Sequence, residues 1–238
     1  MTEKYKDTIK RVQPIANEFI QKHNIIYPIK DSLSLLSKMG YYIIKAQAPQ
    51  NFSGFYMKKD KYPFIFVNTN HSLGRQNFSL WHEVYHHYMQ HHNGISDFST
   101  NTIQEREAEI FAGIVLLPDH EILKWSKKYV IKKPQTIARM SDFYQMSFNA
   151  VVIRGMQLGE IDFDTFNKLK LLSTIEHQQQ LQSIYEEANI TTSVLQPTND
   201  IKISPNIMSI LQSNYQQNLI TSQKINEIIH EIEVLNDA

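Results

Sequence analysis

The spacing of apolar residues predicts helices at the start of the chain. Apolar side chains recur there at close to the 3.6-residue period of an amphipathic helix: Ile9, Val12, Ala16, Phe19 and Ile20. Pro14 lies inside this pattern and predicts a break or a new first turn, because proline cannot donate a backbone hydrogen bond. A second, short helix is expected to begin after Asp31, a good N-cap, and to end at Gly40.

The pattern then changes to short runs rich in Tyr, Phe, Ile and Val. Turn residues separate three such runs, which predict the strands of a small antiparallel sheet at 41–46, 52–58 and 63–67. Helical spacing returns afterwards and predicts three helices at 75–92, 103–117 and 121–129. The expected fold class is therefore α+β.

The composition changes again after Pro134, and two short helices are expected at 137–143 and 147–158. We therefore expect a first domain at 1–132, a helix-turn-helix-like segment at 133–164 and a helical C-terminal region at 165–238. A helix that reads DNA needs basic side chains, and the second helix of the pair carries only Arg154. Packing or partner recognition is favoured for this segment, with DNA contact as the alternative.

Composition and charge exclude several classes of site. Lys plus Arg and Asp plus Glu both number 24, and cysteine is absent, which excludes disulfides, thiolate metal ligands and a thiol nucleophile. The neutral balance argues against binding through bulk positive charge. The net charge of zero results from opposite charges in different parts of the chain, since residues 1–60 carry a net charge of +5 and residues 171–238 a net charge of −6. The sequence shows no signal-peptide pattern and no apolar run that could span a bilayer, so we expect a cytoplasmic protein without membrane contact.

The strongest chemical signal is the string His82-Glu83-x-x-His86 in the predicted helix 75–92. Histidines four positions apart lie about 40° apart around a helix axis, so both imidazoles reach one metal ion. Glu83 lies beside this pair, where a carboxylate can act as a general base. The alternative is a solvated, histidine-rich helix face. His87, His91 and His92 project away from the pair and are interpreted as surface residues or neighbours of the ligands.

A catalytic zinc site needs a third protein ligand, and the predicted helix 103–117 offers carboxylates. Glu105 and Glu109 share one face of this helix with Ala108 and Ala112, whose small side chains allow close packing against the first helix. We assign Glu105 as the third ligand and expect Glu109 to orient a ligand histidine. Glu107 is expected to face solvent. The alternative is that all three glutamates form a charged surface.

Together these motifs resemble the ImmA/IrrE family of metallopeptidases. They are a strand ending in Asn68, His-Glu-x-x-His at 82–86, Glu-x-x-Ala-x-x-Phe-Ala at 105–112 and Leu-Leu-Pro at 116–118. The resemblance spans roughly residues 15–160. The family usually has Asn or Asp where this chain has Glu109, and a small residue where it has Tyr85. We expect that Tyr85 either narrows the site or supplies a hydroxyl.

The resemblance implies a zincin-like domain at 1–132 with His82, His86 and Glu105 as ligands of Zn²⁺ and Glu83 as the catalytic residue. It also implies a gluzincin-like endopeptidase whose protein substrate is a helix-turn-helix transcriptional repressor. Cleavage would relieve repression of a mobile element or a stress response. We expect an extended substrate to add to a sheet edge, at 63–67 or 52–57. The alternative function is a non-proteolytic regulator that binds a partner or DNA through its C-terminal half.

Overall fold

The first helix runs through Pro14 without a break. The structure, a computed structural model, describes residues 3–59, 61–91, 94–96 and 102–237, and α1 extends over Glu3–Lys22. The predicted break at Pro14 is therefore wrong. An interior proline costs about 3 kcal/mol, whereas each large apolar side chain gains about 1.5–3 kcal/mol on burial. Val12 and Phe19 are both fully buried, so packing against the core offsets the lost hydrogen bond.

Helix α2, Ser32–Lys38, begins and ends as predicted. The side chain of Asp31 accepts a hydrogen bond of 2.9 Å from the backbone N–H of Ser34, which satisfies a donor at the helix start. Gly40 follows the helix with a φ of 93°, a left-handed conformation that glycine adopts without strain.

The sheet is mixed and not antiparallel as predicted. Within the described residues its order is β4-β2-β3-β1-β5, with the strands β1 Tyr42–Ala46, β2 Gly54–Lys59, β3 Tyr62–Asn68, β4 Gly94–Ser96 and β5 Lys202–Ile203. β2 and β3 form an antiparallel hairpin, but β1 pairs with the other side of β3 and runs parallel to it. In this register Ile43 lies opposite Ile65, and both side chains are buried in the core.

This order also overturns the expected substrate edges. β3 lies between β1 and β2, and β2 pairs with β4 over Gly54–Tyr56. The segments 63–67 and 52–57 are therefore not free edge strands. Among the described strands, β4 and β5 are the outer ones.

Three helices follow the hairpin: α3 Leu73–Tyr88, α4 Ile103–Leu116 and α5 Asp119–Ser126. α3 packs on β2, β3 and α4, and α1 packs on α4. α3 ends earlier than predicted because Gln90 adopts a left-handed conformation with a φ of 55°. α3 therefore has one face on the sheet and another on α4.

The remaining helices are α6 Pro134–Tyr144, α7 Phe148–Gln157, α8 Phe163–Leu171, α9 Gln178–Glu187, α10 Pro205–Gln216 and α11 Ser222–Asp237. Short 3-10 helices lie at Ile175–His177 and Ser193–Leu195. α6 and α7 agree with the predicted helix pair, and Gln145 joins them in a left-handed conformation. That this pair forms a helix-turn-helix stays a prediction.

The segment 196–206, which we call the C-terminal strap, is hydrogen-bonded to elements that lie far earlier in the sequence. The backbone N–H of Leu73 donates to the carbonyl of Gln196 over 2.9 Å, at the first turn of α3. Farther along, the backbone N–H of Ile43 donates to the hydroxyl of Ser204 over 2.8 Å. The strap therefore holds both the start of α3 and the strand β1.

Among the described helices, the structure contains none with the length and apolar character needed to cross a membrane.

Candidate metal centre

α3 places two imidazoles side by side at its buried face. The ring centroids of His82 and His86 are 4.9 Å apart, and their Nε2 atoms are 3.1 Å apart. His82 is fully buried and His86 is 8% exposed. The four-residue spacing on a regular helix produces this arrangement, as the sequence predicts.

α4 brings a carboxylate to the same point. The hydroxyl of Thr102 caps α4 by accepting a hydrogen bond from the backbone N–H of Glu105, which fixes the first turn. The carboxylate oxygens of Glu105 lie 2.9 Å from Nε2 of His82 and 3.4 Å from Nε2 of His86. Buried Ala108 and Ala112 allow the close approach of the two helices.

These three side chains fit a metal ion. Their ligand atoms all lie within 4.8 Å of one another, so one ion could contact two imidazole nitrogens and one carboxylate. Two histidines and one carboxylate are a donor set found in catalytic zinc sites, which keep a further position open.

The electrostatics of the site favour the protonation states that a metal ion requires. Burial lowers the pKa of His82, so its imidazole is neutral. Burial alone would raise the pKa of Glu105, but the hydrogen bonds with His82 and His86 outweigh it and lower the pKa to about 2. The carboxylate is therefore ionised at neutral pH, as a metal ligand must be.

Glu83 follows His82 on α3 and is 1% exposed. Its carboxylate is therefore buried, one residue after the candidate ligand His82. A desolvated carboxylate near a metal site is suited to proton transfer.

The end of α3 folds back onto the site. The backbone N–H of His91 donates to the carbonyl of His86 over 2.9 Å, after the left-handed turn at Gln90. The Nδ1 atoms of His91 and His86 are also 2.9 Å apart. His87 instead packs on Tyr41, with 2.9 Å between Nδ1 and the tyrosine hydroxyl. His92 lies outside the described residues.

Glu107 does not face solvent as predicted. Its carboxylate accepts a hydrogen bond of 2.9 Å from the hydroxyl of Tyr85 and forms an ion pair with Arg11 on α1. The side chain is only 12% exposed because α1 covers this face of α4. Tyr85 is fully buried with its hydroxyl bound to Glu107, so the structure does not direct this hydroxyl to the candidate ligands.

Glu109 is exposed and lines a cavity between α1, α3, α4 and α7. No hydrogen bond in the described part of the chain joins it to His82 or His86, so the expected orienting role has no support. Desolvation by surrounding atoms, and then the nearby Glu105, raise the pKa of Glu109.

Asn68 is a structural residue whose role the sequence pattern did not reveal. Its side-chain amide donates to the carbonyls of Ala48, Pro49 and Phe52, at 2.7–3.0 Å. Its carbonyl oxygen accepts from the backbone N–H of Ala48. These bonds fix the loop between β1 and β2. The sequence signal that could have indicated this role is a polar residue at the end of an apolar strand.

A comparison with family models agrees with these features. Residues 36–156, just over half of the chain, match the peptidase family M78 model, which is described as an IrrE N-terminal-like domain. The match runs from α2 to α7 and includes the three candidate ligands. A search of curated proteins found no match. On the strength of the family match, the chain belongs to the ImmA/IrrE family of peptidases.

Proposed function

We propose that this protein is a zinc-dependent endopeptidase that cleaves a helix-turn-helix transcriptional repressor in the cytoplasm. The observation that carries the proposal is the convergence of His82, His86 and Glu105, with Glu83 beside them on α3. Membership of a peptidase family supports a polypeptide substrate.

The donor set supports zinc as the metal. His82, His86 and Glu105 would hold it, and a chain without cysteine cannot supply the thiolates that many structural zinc sites use. Zinc, when bound, supplies Lewis acidity that activates water and polarises a peptide carbonyl.

Glu83 carries the proton in this proposal. Its carboxylate accepts a proton from the attacking water and then delivers it to the leaving amine, so that one residue acts first as base and then as acid. The position of Glu83 favours this role, because it is 1% exposed and directly follows the candidate ligand His82 on α3.

Charge and family resemblance support a repressor as the substrate. A repressor binds DNA through a basic surface, and residues 171–238 of this chain carry a net charge of −6. Opposite charges guide encounter between partners. Relief of repression at a mobile element or stress response would follow from cleavage.

A cleavage assay tests this function. The purified chain, loaded with zinc, is incubated with the repressor encoded beside its gene, and the products are identified by mass spectrometry. We expect the wild type to cut the repressor and Glu83→Gln to cut at least 100-fold more slowly, because the amide cannot accept the proton. Equal cleavage by both proteins would contradict the proposed role of Glu83.

DNA contact by the α6–α7 pair is not favoured. Arg154 is 2% exposed, and its guanidinium binds the carbonyl of Leu117 and the side chains of Asp119 and Gln157. No other residue of α7 is basic. We therefore propose that the pair packs against the peptidase part or recognises a protein partner. A regulator that works without proteolysis remains the alternative, and Glu83→Gln would leave its function intact.

A further inference from the structure

A run of basic side chains connects α5 to α6. Residues 122–141 contain six basic side chains and no acidic one: Lys124, Lys127, Lys128, Lys132, Lys133 and Arg139. All six are exposed. The whole chain carries 24 basic and 24 acidic residues, so a segment with basic residues alone departs from the average of the chain. The surface formed by this segment is therefore positively charged.

Three of these lysines have no carboxylate bound to them. Lys124 forms an ion pair with Glu121 in the same helix. Lys127, Lys128 and Lys133 form no ion pair with any residue that the structure describes. Their ammonium groups are therefore available to an anionic partner.

Two other carboxylates lie near the edge of this surface. Hydrogen bonds from Thr165 lower the pKa of Asp162, and the charge of Lys132 adds to this effect. Burial raises the pKa of Asp142, and Lys30 opposes this rise. Each of these acids has its own lysine close by, so neither offsets the charge of the three unpaired lysines.

Aromatic rings lie beside the lysines. The ring of Trp125 contacts those of Tyr129 and Phe143, with centroids 5.2 and 5.9 Å apart. The indole N–H of Trp125 donates to the hydroxyl of Tyr144 over 3.1 Å, which fixes the position of the central ring. Tyr129 is 45% exposed and Phe143 is 42% exposed, so both outer rings reach the surface.

Cations and rings follow one another along this surface. Lys127 and Lys128 directly precede Tyr129 in the sequence. Lys133 is the N-cap of α6 and lies ten residues before Phe143, which is about 15 Å along the helix. Stacked bases follow one another at about 3.4 Å, so this length corresponds to about four nucleotides.

We propose that single-stranded nucleic acid binds to this surface, a basic aromatic patch formed by Trp125, Lys127, Lys128, Tyr129, Lys133 and Phe143. The lysines would bind phosphates, and the exposed rings would stack on bases, whose faces are accessible in an unpaired strand. α7 takes no part, because its one basic residue, Arg154, is buried. The proposal does not depend on the peptidase activity.

One feature favours nucleic acid over an anionic membrane as the partner. A segment that binds at a membrane surface inserts its apolar side chains below the level of its charges. In the patch, by contrast, the ammonium of Lys30 lies 5.9 Å from the centroid of the Phe143 ring, so this ring could not enter a bilayer without a charge. A nucleotide accommodates both groups, because its base has an apolar face and its phosphate is an anion.

Fluorescence anisotropy with a labelled oligothymidylate tests the patch in the full-length chain. We expect the wild type to bind this strand with an affinity that falls as the salt concentration rises. Lys127→Gln together with Lys128→Gln should weaken binding by tenfold or more, because phosphate contacts are lost. Lys58→Gln together with Lys59→Gln removes the same charge from β2 and should leave binding unchanged. Equal affinities of the two double variants, or no binding by the wild type, overturn the proposal.

Substitutions of Tyr129 separate stacking from charge. Tyr129→Ala should weaken binding about tenfold because the stacking surface is lost, whereas Tyr129→Phe keeps a ring and should bind like the wild type. The side chain is exposed, so both variants should fold, and thermal melting followed by circular dichroism checks this. Wild-type affinity in Tyr129→Ala would show that the ring is not a stacking platform, and the proposal would fail.

Competition decides between the classes of partner. Unlabelled oligothymidylate should displace the probe at lower concentrations than a DNA duplex of the same length, polyglutamate or phosphatidylglycerol vesicles. A duplex that competes equally well would show that unpaired bases are not needed. Vesicles or polyglutamate that compete better would assign the patch to a membrane or to an acidic protein. Each of these three results overturns the proposal.

Discussion

His91 acts on the side of His86 that faces away from the other candidate ligands. Nε2 of His86 points to His82 and Glu105, whereas Nδ1 lies 2.9 Å from Nδ1 of His91. One of these two Nδ1 atoms must donate and the other accept. A hydrogen bond at the outer nitrogen of a ligand histidine fixes the tautomer and the orientation of its ring.

We expect His91→Phe to lower the affinity for zinc by about 10–100-fold, because the ring of His86 loses its hydrogen-bond partner. The measurement is a competition titration with a chelating dye. His87→Phe, which alters a neighbouring histidine bound to Tyr41, should leave the affinity unchanged. An equal loss in both variants would contradict a specific role of His91.

Lys45 is a buried charge in β1. It is 4% exposed, and burial lowers its pKa to about 8, although Asp200 partly opposes this effect. In the unfolded chain the pKa is about 10.4. Below pH 8 the buried amine carries its charge in the folded state, and this lowers the free energy of unfolding by its full amount. The penalty becomes smaller as the pH rises from about 8 to about 10.4, because the folded state then binds fewer protons than the unfolded chain.

We expect Lys45→Met to raise the free energy of unfolding at pH 7 by about 1–3 kcal/mol, because the penalty disappears with the charge. Urea denaturation at several pH values measures this. The difference in free energy of unfolding between the variant and the wild type should become smaller between pH 8 and pH 10. A difference that stays constant over this range would contradict the conclusion that the charge of Lys45 destabilises the fold.

At the scale of elements, α3 and α4 were predictable, because the motifs that carry chemistry lie on regular helices with a local period. The parallel pairing of β1 with β3 could not be predicted from the sequence. It depends on the conformation of the loop between β1 and β2, which the side chain of Asn68 holds in place. That Glu107 is covered by another helix could also not be predicted from the pattern of α4 alone. α1, which is distant in sequence, covers the face of α4 that carries Glu107 and supplies Arg11.

Glu107 therefore links three helices, and we expect Glu107→Ala to destabilise the fold by about 1–3 kcal/mol. The variant leaves the buried hydroxyl of Tyr85 without its acceptor. Urea denaturation gives the loss, and Tyr85→Phe in the same background should recover part of it. If Glu107→Ala alone has no effect on stability, the link between Tyr85 and Glu107 is not structural.

At the scale of the whole molecule, the C-terminal strap ties residues 196–206 to the elements that carry and support the candidate ligands. It binds α3 at Leu73 and β1 at Ile43, and β5 adds a strand to β1. The predicted boundary at 165 gave no sign of this, because the strap contains only a two-residue strand and no periodic pattern.

Two truncations measure the contribution of the strap. We expect residues 1–195 to melt about 5–10 °C below the full chain, since several hydrogen bonds and a strand are lost. Residues 1–216 keep the strap and α10 and should melt within about 2 °C of the full chain. Calorimetry with both proteins decides, and equal melting temperatures of the two truncations would contradict the role of the strap.

The strap also has a consequence for protein synthesis. The hydrogen bond between Ile43 and Ser204 joins residues 161 positions apart, and the bond at Leu73 likewise awaits Gln196. A ribosome releases Gln196 and Ser204 long after Leu73 and Ile43, and domains of a growing chain fold as their residues emerge. The helix that carries both histidines therefore gains this anchor only after residues 196–204 have been synthesised, well after its own residues have left the ribosome.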